Sequence, residues 1–174
     1  LCNAGFSLGD DSLKAYSTDI PVNLIICGLV IVGGLGFPVL FDISSRLWNR
    51  QSLWDRLHMH SKLMVLGTAA LLAFGAVSFW VFESDGVLAG QPLSKRILFG
   101  LFHTTTCRTA GFHTVEYGSL SSATLFLTIL LMAIGAGPGS TGGGFKVSTF
   151  MTLLTLAGSS FRVQERANFA KLTI

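Results

Sequence analysis

The most distinctive stretch of the chain is GAGPGSTGGGFKVSTF, residues 135–150, in which a run of glycines precedes a lysine. Glycines followed by Lys and then Ser or Thr are typical of a loop that cradles phosphate groups after a β-strand. Here Phe145 separates Gly144 from Lys146, Val147 follows the lysine, and the preceding run is apolar and helix-like. The sequence therefore disfavours a nucleotide site. It leaves two interpretations, a kink at which helices pack closely and a break in a membrane helix that serves transport.

A second glycine pattern occurs twice. NAGFS at residues 3–7 matches TAGFH at residues 109–113, and a glycine cluster in an apolar run follows each copy, at residues 33–36 and 142–144. The shared register predicts a repeated unit of helix, short re-entrant helix, glycine loop and helix. In such a loop, backbone carbonyls can replace the water shell of a cation, and glycine permits the backbone angles that this requires. An extracellular turn is the alternative.

The composition points to a bilayer as the solvent. Of the 174 residues, 50% are hydrophobic and 12% are charged, and the mean hydropathy is +0.61. A soluble domain carries roughly a quarter charged residues. The net charge is only +3 and the basic residues are not clustered, which argues against nucleic acid as a partner. The widely spaced Cys2, Cys27 and Cys107 predict neither a disulfide framework nor a zinc site. Because the chain begins at Leu1 inside a motif, we expect a fragment of a longer protein.

Two uncharged runs, residues 20–41 and 63–82, are long enough for membrane-spanning helices. The intervening residues 42–62 and the residues after 161 carry basic side chains, which predicts a cytoplasmic location by the positive-inside rule. Residues 9–19 and 83–91 are mainly acidic and are expected on the opposite side. We therefore expect a multi-pass protein of the cell membrane. The basic residues behind this orientation are Arg46, Arg50, Arg56, Lys62, Arg162, Arg166 and Lys171.

Two apolar runs are too short to cross a bilayer alone. Residues 93–107 predict a short re-entrant pore helix, and residues 123–134 with their continuation after the glycine-rich stretch predict an interrupted helix. The negative end of the short helix would point at the following loop and favour cations. Hydroxyls that could face the same loop are those of Thr104, Thr105, Thr106 and Thr109.

Four ionisable residues lie near these loops. Arg108 would repel a cation at the axis, so we expect it to point into protein, held by carbonyls or by Glu116. Lys146 either caps the glycine-rich stretch or is paired and passive. His103 and His113 are expected at the membrane interface, with pH sensing as the alternative.

The motifs CNAGF, TTCRTAGFHTVE and LLMAIGAGPGSTGGGFKVSTF closely resemble the Trk/Ktr/HKT superfamily of potassium transporters, in particular the bacterial Ktr-type and Trk-type membrane subunits. This resemblance implies an all-α integral membrane fold in which four M1-P-M2 units surround one pseudo-fourfold cation pore. Residues 1–60 would be the end of the second unit and residues 61–174 the third, whose M2 helix is broken by the glycine-rich loop. The first and fourth units would lie outside this chain.

The resemblance also implies potassium uptake through a carbonyl filter, gated by the intramembrane loop, with no covalent chemistry and no cofactor on this chain. It implies a homodimeric full-length subunit in the lipid bilayer and a cytosolic nucleotide-binding regulatory subunit. The main alternative is a secondary transporter or structural membrane subunit that binds a substrate at the broken helix. The implied filter residues are Asn3, Ala4, Gly5, Thr109, Ala110 and Gly111. The implied gate residues are Gly135, Gly137, Pro138, Gly139, Ser140, Thr141, Gly142, Gly143, Gly144 and Lys146.

Overall fold

The computed structural model describes residues 4–7, 12–48, 57–108, 110–161, 168–169 and 172–173. This part of the chain is mostly helical, as predicted. Two 3-10 helices, Lys14–Tyr16 and Tyr117–Ser119, and a hairpin of strands β1 (Asn168–Phe169) and β2 (Leu172–Thr173) complete it. The α-helices are α1 (Ile20–Leu35), α2 (Phe37–Trp48), α3 (Met59–Phe82), α4 (Leu93–Thr106), α5 (Ser122–Ala133) and α6 (Val147–Phe161).

Helix α3 is the centre of the fold and contacts α2, α4, α5 and α6. Among the described residues it is the one helix that is long and apolar enough to cross a bilayer alone, with 24 residues and a mean hydropathy of 2.0 over an 18-residue window. The prediction of a helix over residues 63–82 is confirmed. Two glycines allow the close packing: a Cβ on Gly67 would lie 2.7 Å from Met151 Cγ, and one on Gly75 would lie 2.4 Å from Thr104 Cγ2.

The prediction of one continuous span over residues 20–41 is wrong. Gly36, with φ 89° and ψ 151°, separates α1 from α2. The two helices are bent by 101° at this break and pass as a membrane span only when taken together. The backbone region that Gly36 occupies is essentially restricted to glycine. Pro38 fits the start of α2, because its missing N–H has no helical acceptor there. Residues 42–48, expected in a loop, therefore belong to a helix.

The short helices have the predicted bounds to within a residue or so. Helix α4 has 14 residues and ends in a turn at Cys107. Helix α5 ends at Ala133 and α6 begins at Val147, so the glycine-rich stretch interrupts the helix as predicted. That α4 re-enters a membrane, and that residue 60 separates two repeated units, stay predictions.

Polar side chains cap the N-termini of α1 and α5. The Asp19 side chain accepts a hydrogen bond from the Val22 amide at 3.3 Å, and the Ser121 hydroxyl accepts one from the Thr124 amide at 3.2 Å. Cys27 and Cys107 are buried and unpaired, whereas Cys2 lies outside the described residues. Most of the basic residues behind the predicted orientation, namely Arg50, Arg56, Arg162, Arg166 and Lys171, also lie outside them.

Candidate functional site

The two Ala-Gly-Phe loops, here called the outer loops (residues 4–7 and 110–113), lie directly against each other. A Cβ on Gly5 would lie 2.6 Å from the Ala110 carbonyl oxygen and 2.7 Å from Gly111 Cα. Both glycines have positive φ, +67° for Gly5 and +78° for Gly111, so a side chain at either would be strained as well as crowded. The structure therefore brings together Ala4, Gly5, Ala110 and Gly111. Asn3 and Thr109 lie outside the described residues.

Backbone and side-chain bonds hold the outer loops in place. The Leu13 amide donates to the His113 carbonyl at 3.2 Å, and the His113 amide donates to the Ser12 hydroxyl at 3.2 Å. The salt bridge between Lys14 and Glu116, at 3.1 Å, lies on the exposed side. The segment before α1 is thus tied to the loop after α4 although the two are far apart in the chain.

The threonines of α4 are buried, and their hydroxyls donate hydrogen bonds to carbonyls of the chain. Thr104 Oγ1 donates to the Gly100 carbonyl and Thr105 Oγ1 to the Leu101 carbonyl, each at 2.7 Å within the helix. Thr106 Oγ1 donates to the Phe112 carbonyl and so closes the turn of the outer loop. The protons of these hydroxyls are therefore used within the protein, and an ion-facing role for the threonines stays a prediction.

The glycine-rich loop (residues 135–146) is closed by parallel backbone pairing between its two ends, centred on Ile134 and Phe145. The Gly135 amide donates to the Phe145 carbonyl at 3.0 Å, and the Ala136 amide donates to the Gly143 carbonyl at 3.2 Å. A Cβ on Gly135 would lie 1.6 Å from the Gly143 carbonyl oxygen, so this pairing requires glycine. Lys146 Nζ donates to the Gly142 carbonyl at 3.0 Å and caps this closed loop, the first of its two predicted roles.

The glycine-rich loop also docks on the break between α1 and α2. The Gly137 amide donates to the Gly34 carbonyl at 2.8 Å, and the Phe37 amide donates to the Gly139 carbonyl at 3.2 Å. A Cβ on Gly36 would lie 2.4 Å from the Pro138 carbonyl oxygen. The glycine cluster at residues 33–36 is therefore packed backbone to backbone against residues 137–139 of the glycine-rich loop, which precede the cluster at residues 142–144 that the sequence places in register with it.

Arg108 connects the outer loops to the glycine-rich loop. Its side chain is 6% exposed and points into the protein, as predicted, where Nη2 lies 3.5 Å from the Gly135 carbonyl oxygen. Glu116, the other expected partner, pairs with Lys14 instead. Arg108 Nε has no hydrogen-bond partner among the described residues. The guanidinium therefore reaches the glycine-rich loop through Nη2, while its Nε–H donor is unused within the described part of the chain.

Sequence reasoning missed a buried polar chain behind α4. His103 is 7% exposed rather than interfacial, and its ring stacks on Phe79 with centroids 4.6 Å apart. Thr128 Oγ1 donates to the Thr124 carbonyl at 2.8 Å, so it accepts from His103 Nε2 at 2.9 Å. Thr124 Oγ1 in turn donates to Glu83 at 2.6 Å. The four-residue spacing of Thr124 and Thr128 was the sequence signal that could have predicted this chain of hydrogen bonds. His113 is half-buried, with its ring centroid 6.2 Å from that of Tyr117.

A second missed cluster links α2 to the start of α3. Asp42 is 6% exposed and accepts from Arg46 Nε at 2.9 Å and from the His58 amide at 3.0 Å. The His58 ring also contacts it, with Nδ1 2.9 Å from Oδ1. This cluster holds α2 against the start of the central helix α3. Within the described residues, no group of three or more His, Cys, Asp or Glu side chains could hold a metal ion.

Comparison with known proteins shows the family. The family described as "TrkH: Cation transport protein" matches residues 1–173. Ktr system potassium uptake protein B of Bacillus subtilis is 41% identical over 155 residues, which cover 88% of this chain and 34% of that protein. Potassium/sodium uptake protein NtpJ of Enterococcus hirae is 38% identical over 174 residues, which cover 99% of this chain and 38% of that protein.

The fold has a counterpart among solved structures. The crystal structure of the potassium transporter TrkH from Vibrio parahaemolyticus matches 97% of this chain and 35% of its own chain, with a TM-score of 0.68 and 22% sequence identity. This chain spans about a third of the length of the relatives that it matches. The family is one of transport rather than catalysis, which agrees with the expectation of no covalent chemistry. A family of cation transport proteins also implies a location in a membrane. By sequence over nearly its whole length, the chain belongs to the TrkH family of cation transport proteins.

Proposed function

We propose that the chain is part of a subunit that takes up potassium ions across the cell membrane, with the outer loops contributing two strands of a carbonyl filter. The observation that carries this proposal is the contact between Gly5 and Gly111, both with positive φ. Two loops that resemble each other in sequence meet at one place with the backbone conformation that only glycine adopts freely. The names of the relatives, potassium uptake protein B and potassium/sodium uptake protein, support the choice of ion.

The proposal requires the complete pore. In this structure the two glycine backbones touch, so no ion fits between them. In a pore of four units, the filter strands of the first and fourth units would complete the ring and separate these two. The ion would then lose water to backbone oxygens on four sides, at the end of α4 where the helix dipole favours a cation.

We further propose that the glycine-rich loop is the gate. It interrupts the helix between α5 and α6, and Arg108 connects it to the outer loops. The loop is held mainly by hydrogen bonds to backbone carbonyls, donated by backbone amides and by the side chains of Ser140 and Lys146. Such contacts can be exchanged at modest cost, which suits a segment that opens and closes.

Partners follow from the family resemblance alone. We propose that the full-length subunit forms a homodimer in the lipid bilayer and is regulated by a cytosolic nucleotide-binding subunit. Any nucleotide would bind that partner, because residues 135–150 lack the pattern of a phosphate loop. The boundary between a second unit (residues 1–60) and a third unit (residues 61–174) belongs to the same proposal.

The deciding experiment is Gly111→Ser in the full-length subunit, with potassium and sodium uptake measured in parallel. A filter strand that changes shape should lose its preference for potassium over sodium, because a serine is strained at the positive φ of +78° and cannot hold the carbonyls in the same positions. Gly118→Ser is the matched control, since nothing lies within 4 Å of a Cβ at Gly118. Unchanged ion preference in Gly111→Ser would favour the alternative, a transporter that binds its substrate at the broken helix.

A further inference from the structure

An apolar groove lies between α3 and α4, apart from both the outer loops and the glycine-rich loop. It has a volume of about 220 Å³ and is lined along its length by Ala76, Val77, Gly100 and Leu101. The helices approach closely here, since a Cβ on Gly100 would lie 3.4 Å from the Ala76 carbonyl oxygen. Small residues therefore form the floor, and the groove can hold a slender apolar chain.

The mouth of this groove carries an aromatic and a cationic side chain. Trp80 and Arg96 line both this groove and an adjoining one of about 240 Å³, which Val81 and Leu93 complete. Val81 is 65% exposed and Leu93 is 62% exposed, so the adjoining surface is open and apolar. Tryptophan at the end of a membrane helix is typical of the headgroup level of a bilayer. The groove thus runs from the headgroup level into the apolar zone.

Positive charge at the mouth has no counterpart among the described residues. Arg96 lies in the first turn of α4, which contains no acidic residue. A helix N-terminus already carries positive partial charge and is usually matched by acidic side chains. Arg96 forms no ion pair within the described part of the chain. Arg96 Nε donates to the Gln91 carbonyl at 2.9 Å, which holds the guanidinium at the mouth and leaves its Nη groups for an anion.

We infer that this groove binds one anionic phospholipid. The phosphate would accept hydrogen bonds from Arg96, and an acyl chain would lie along Ala76, Val77 and Gly100. A soluble anion would use only the mouth, whereas a phospholipid matches the cationic mouth and the apolar groove together. The site is independent of ion conduction, so its test does not depend on the proposed filter.

The test is quenching of Trp80 fluorescence by phospholipids with brominated acyl chains, in the full-length subunit reconstituted into bilayers. The Trp80 signal is the difference between the wild type and Trp80→Phe. We expect brominated phosphatidylglycerol to quench this signal at a several-fold lower mole fraction than brominated phosphatidylcholine. Arg96→Gln should lower this preference about five-fold, whereas Arg96→Lys should keep it.

Two controls separate the groove from its surroundings. Val77→Phe should fill the groove and weaken quenching by both lipids, whereas Ala73→Phe, at an exposed position of the same helix outside the groove, should not. Inorganic phosphate is added to pure phosphatidylcholine bilayers as a further arm. If phosphate alone raises the unfolding temperature in a manner that depends on Arg96, the site takes a soluble anion and the inference is wrong. Equal quenching by the two lipids, or no quenching because another part of the subunit covers the groove, would also overturn it.

Discussion

The amide of Gly137 donates a hydrogen bond to the carbonyl of Gly34 at 2.8 Å, which joins the glycine-rich loop to the end of α1. The reciprocal bond from the Phe37 amide to the Gly139 carbonyl, at 3.2 Å, makes the contact two-sided. Both helix breaks thus satisfy part of their exposed backbone through each other. A substitution that distorts the backbone at either break should therefore weaken the hydrogen bonds of the other.

Gly36→Ala tests this docking. The alanine would have to adopt φ 89° and would place its Cβ 2.4 Å from the Pro138 carbonyl oxygen. The backbone strain costs about 1–3 kcal/mol, and the crowding adds to it, so the unfolding temperature of the full-length subunit should fall by several degrees. Gly28→Ala is the matched control in the same helix, because nothing lies within 4 Å of a Cβ there. It should leave stability unchanged or raise it by up to about 1 kcal/mol. Equal melting of the two variants would contradict the docking.

Gly135→Ala should prevent the glycine-rich loop from closing in its observed shape. Its Cβ would lie 1.6 Å from the Gly143 carbonyl oxygen, whereas a Cβ at Gly143 meets nothing within 4 Å. If the loop is a gate, Gly135→Ala should raise potassium uptake in the absence of any regulatory subunit, and Gly143→Ala should match the wild type. Uptake is measured in cells after membrane levels have been equalised. The same uptake for both variants would count against a closed loop of this shape.

Lys146→Met should loosen the same loop without introducing a clash. The methionine keeps the apolar stem but loses the hydrogen bond from Nζ to the Gly142 carbonyl at 3.0 Å. A hydrogen bond from a charged group contributes about 1.5 kcal/mol or more, so the balance between closed and open loops should shift roughly ten-fold toward open. Lys146→Arg keeps a charged donor and should stay close to the wild type. If Lys146→Met and Lys146→Arg show the same potassium uptake, the lysine is passive and the cap has no part in gating.

Glu83→Gln should destabilise the outer junction of α3 and α5. The Glu83 carboxylate is 1% exposed and accepts from Thr124 Oγ1 at 2.6 Å and from the Ser121 amide at 2.8 Å. Replacing charged by neutral acceptors should lower the unfolding free energy by about 2 kcal/mol. Glu116→Gln removes only an exposed ion pair with Lys14 and should change it by less than about 0.5 kcal/mol. Similar losses in both variants would show that burial of Glu83 does not matter.

The same carboxylate predicts a pH dependence. Burial raises the pKa of Glu83, but hydrogen bonds from Thr124 and Ser121 outweigh it and hold the pKa below the ordinary value of 4.5. A lowered pKa in the folded state stabilises the protein above the unfolded pKa, and this stabilisation is lost as the pH falls through the folded pKa. The unfolding temperature of the wild type should therefore fall more steeply below about pH 4.5 than that of Glu83→Gln. Parallel curves for the two proteins would exclude this contribution.

The amino-acid sequence by itself determined the local elements and their interruptions. Apolar length predicted α3, α5 and α6, and the short run before Cys107 predicted α4, because hydropathy and helix length are properties of neighbouring residues. The failed prediction, residues 20–41, has a local cause as well. Gly36 lies in an uncharged run, and hydropathy does not record whether a glycine continues a helix or turns it by 101°.

Only the tertiary structure decided which interruptions meet. Gly5 lies against Gly111, and Gly137 bonds to Gly34, although about a hundred residues separate each pair in the chain. Such contacts depend on how α3 gathers the other helices around it. The same packing buries Glu83 and His103, which as isolated polar residues near helix ends resemble interfacial side chains. Burial and pairing are properties of the assembled helices, and no window of sequence contains them.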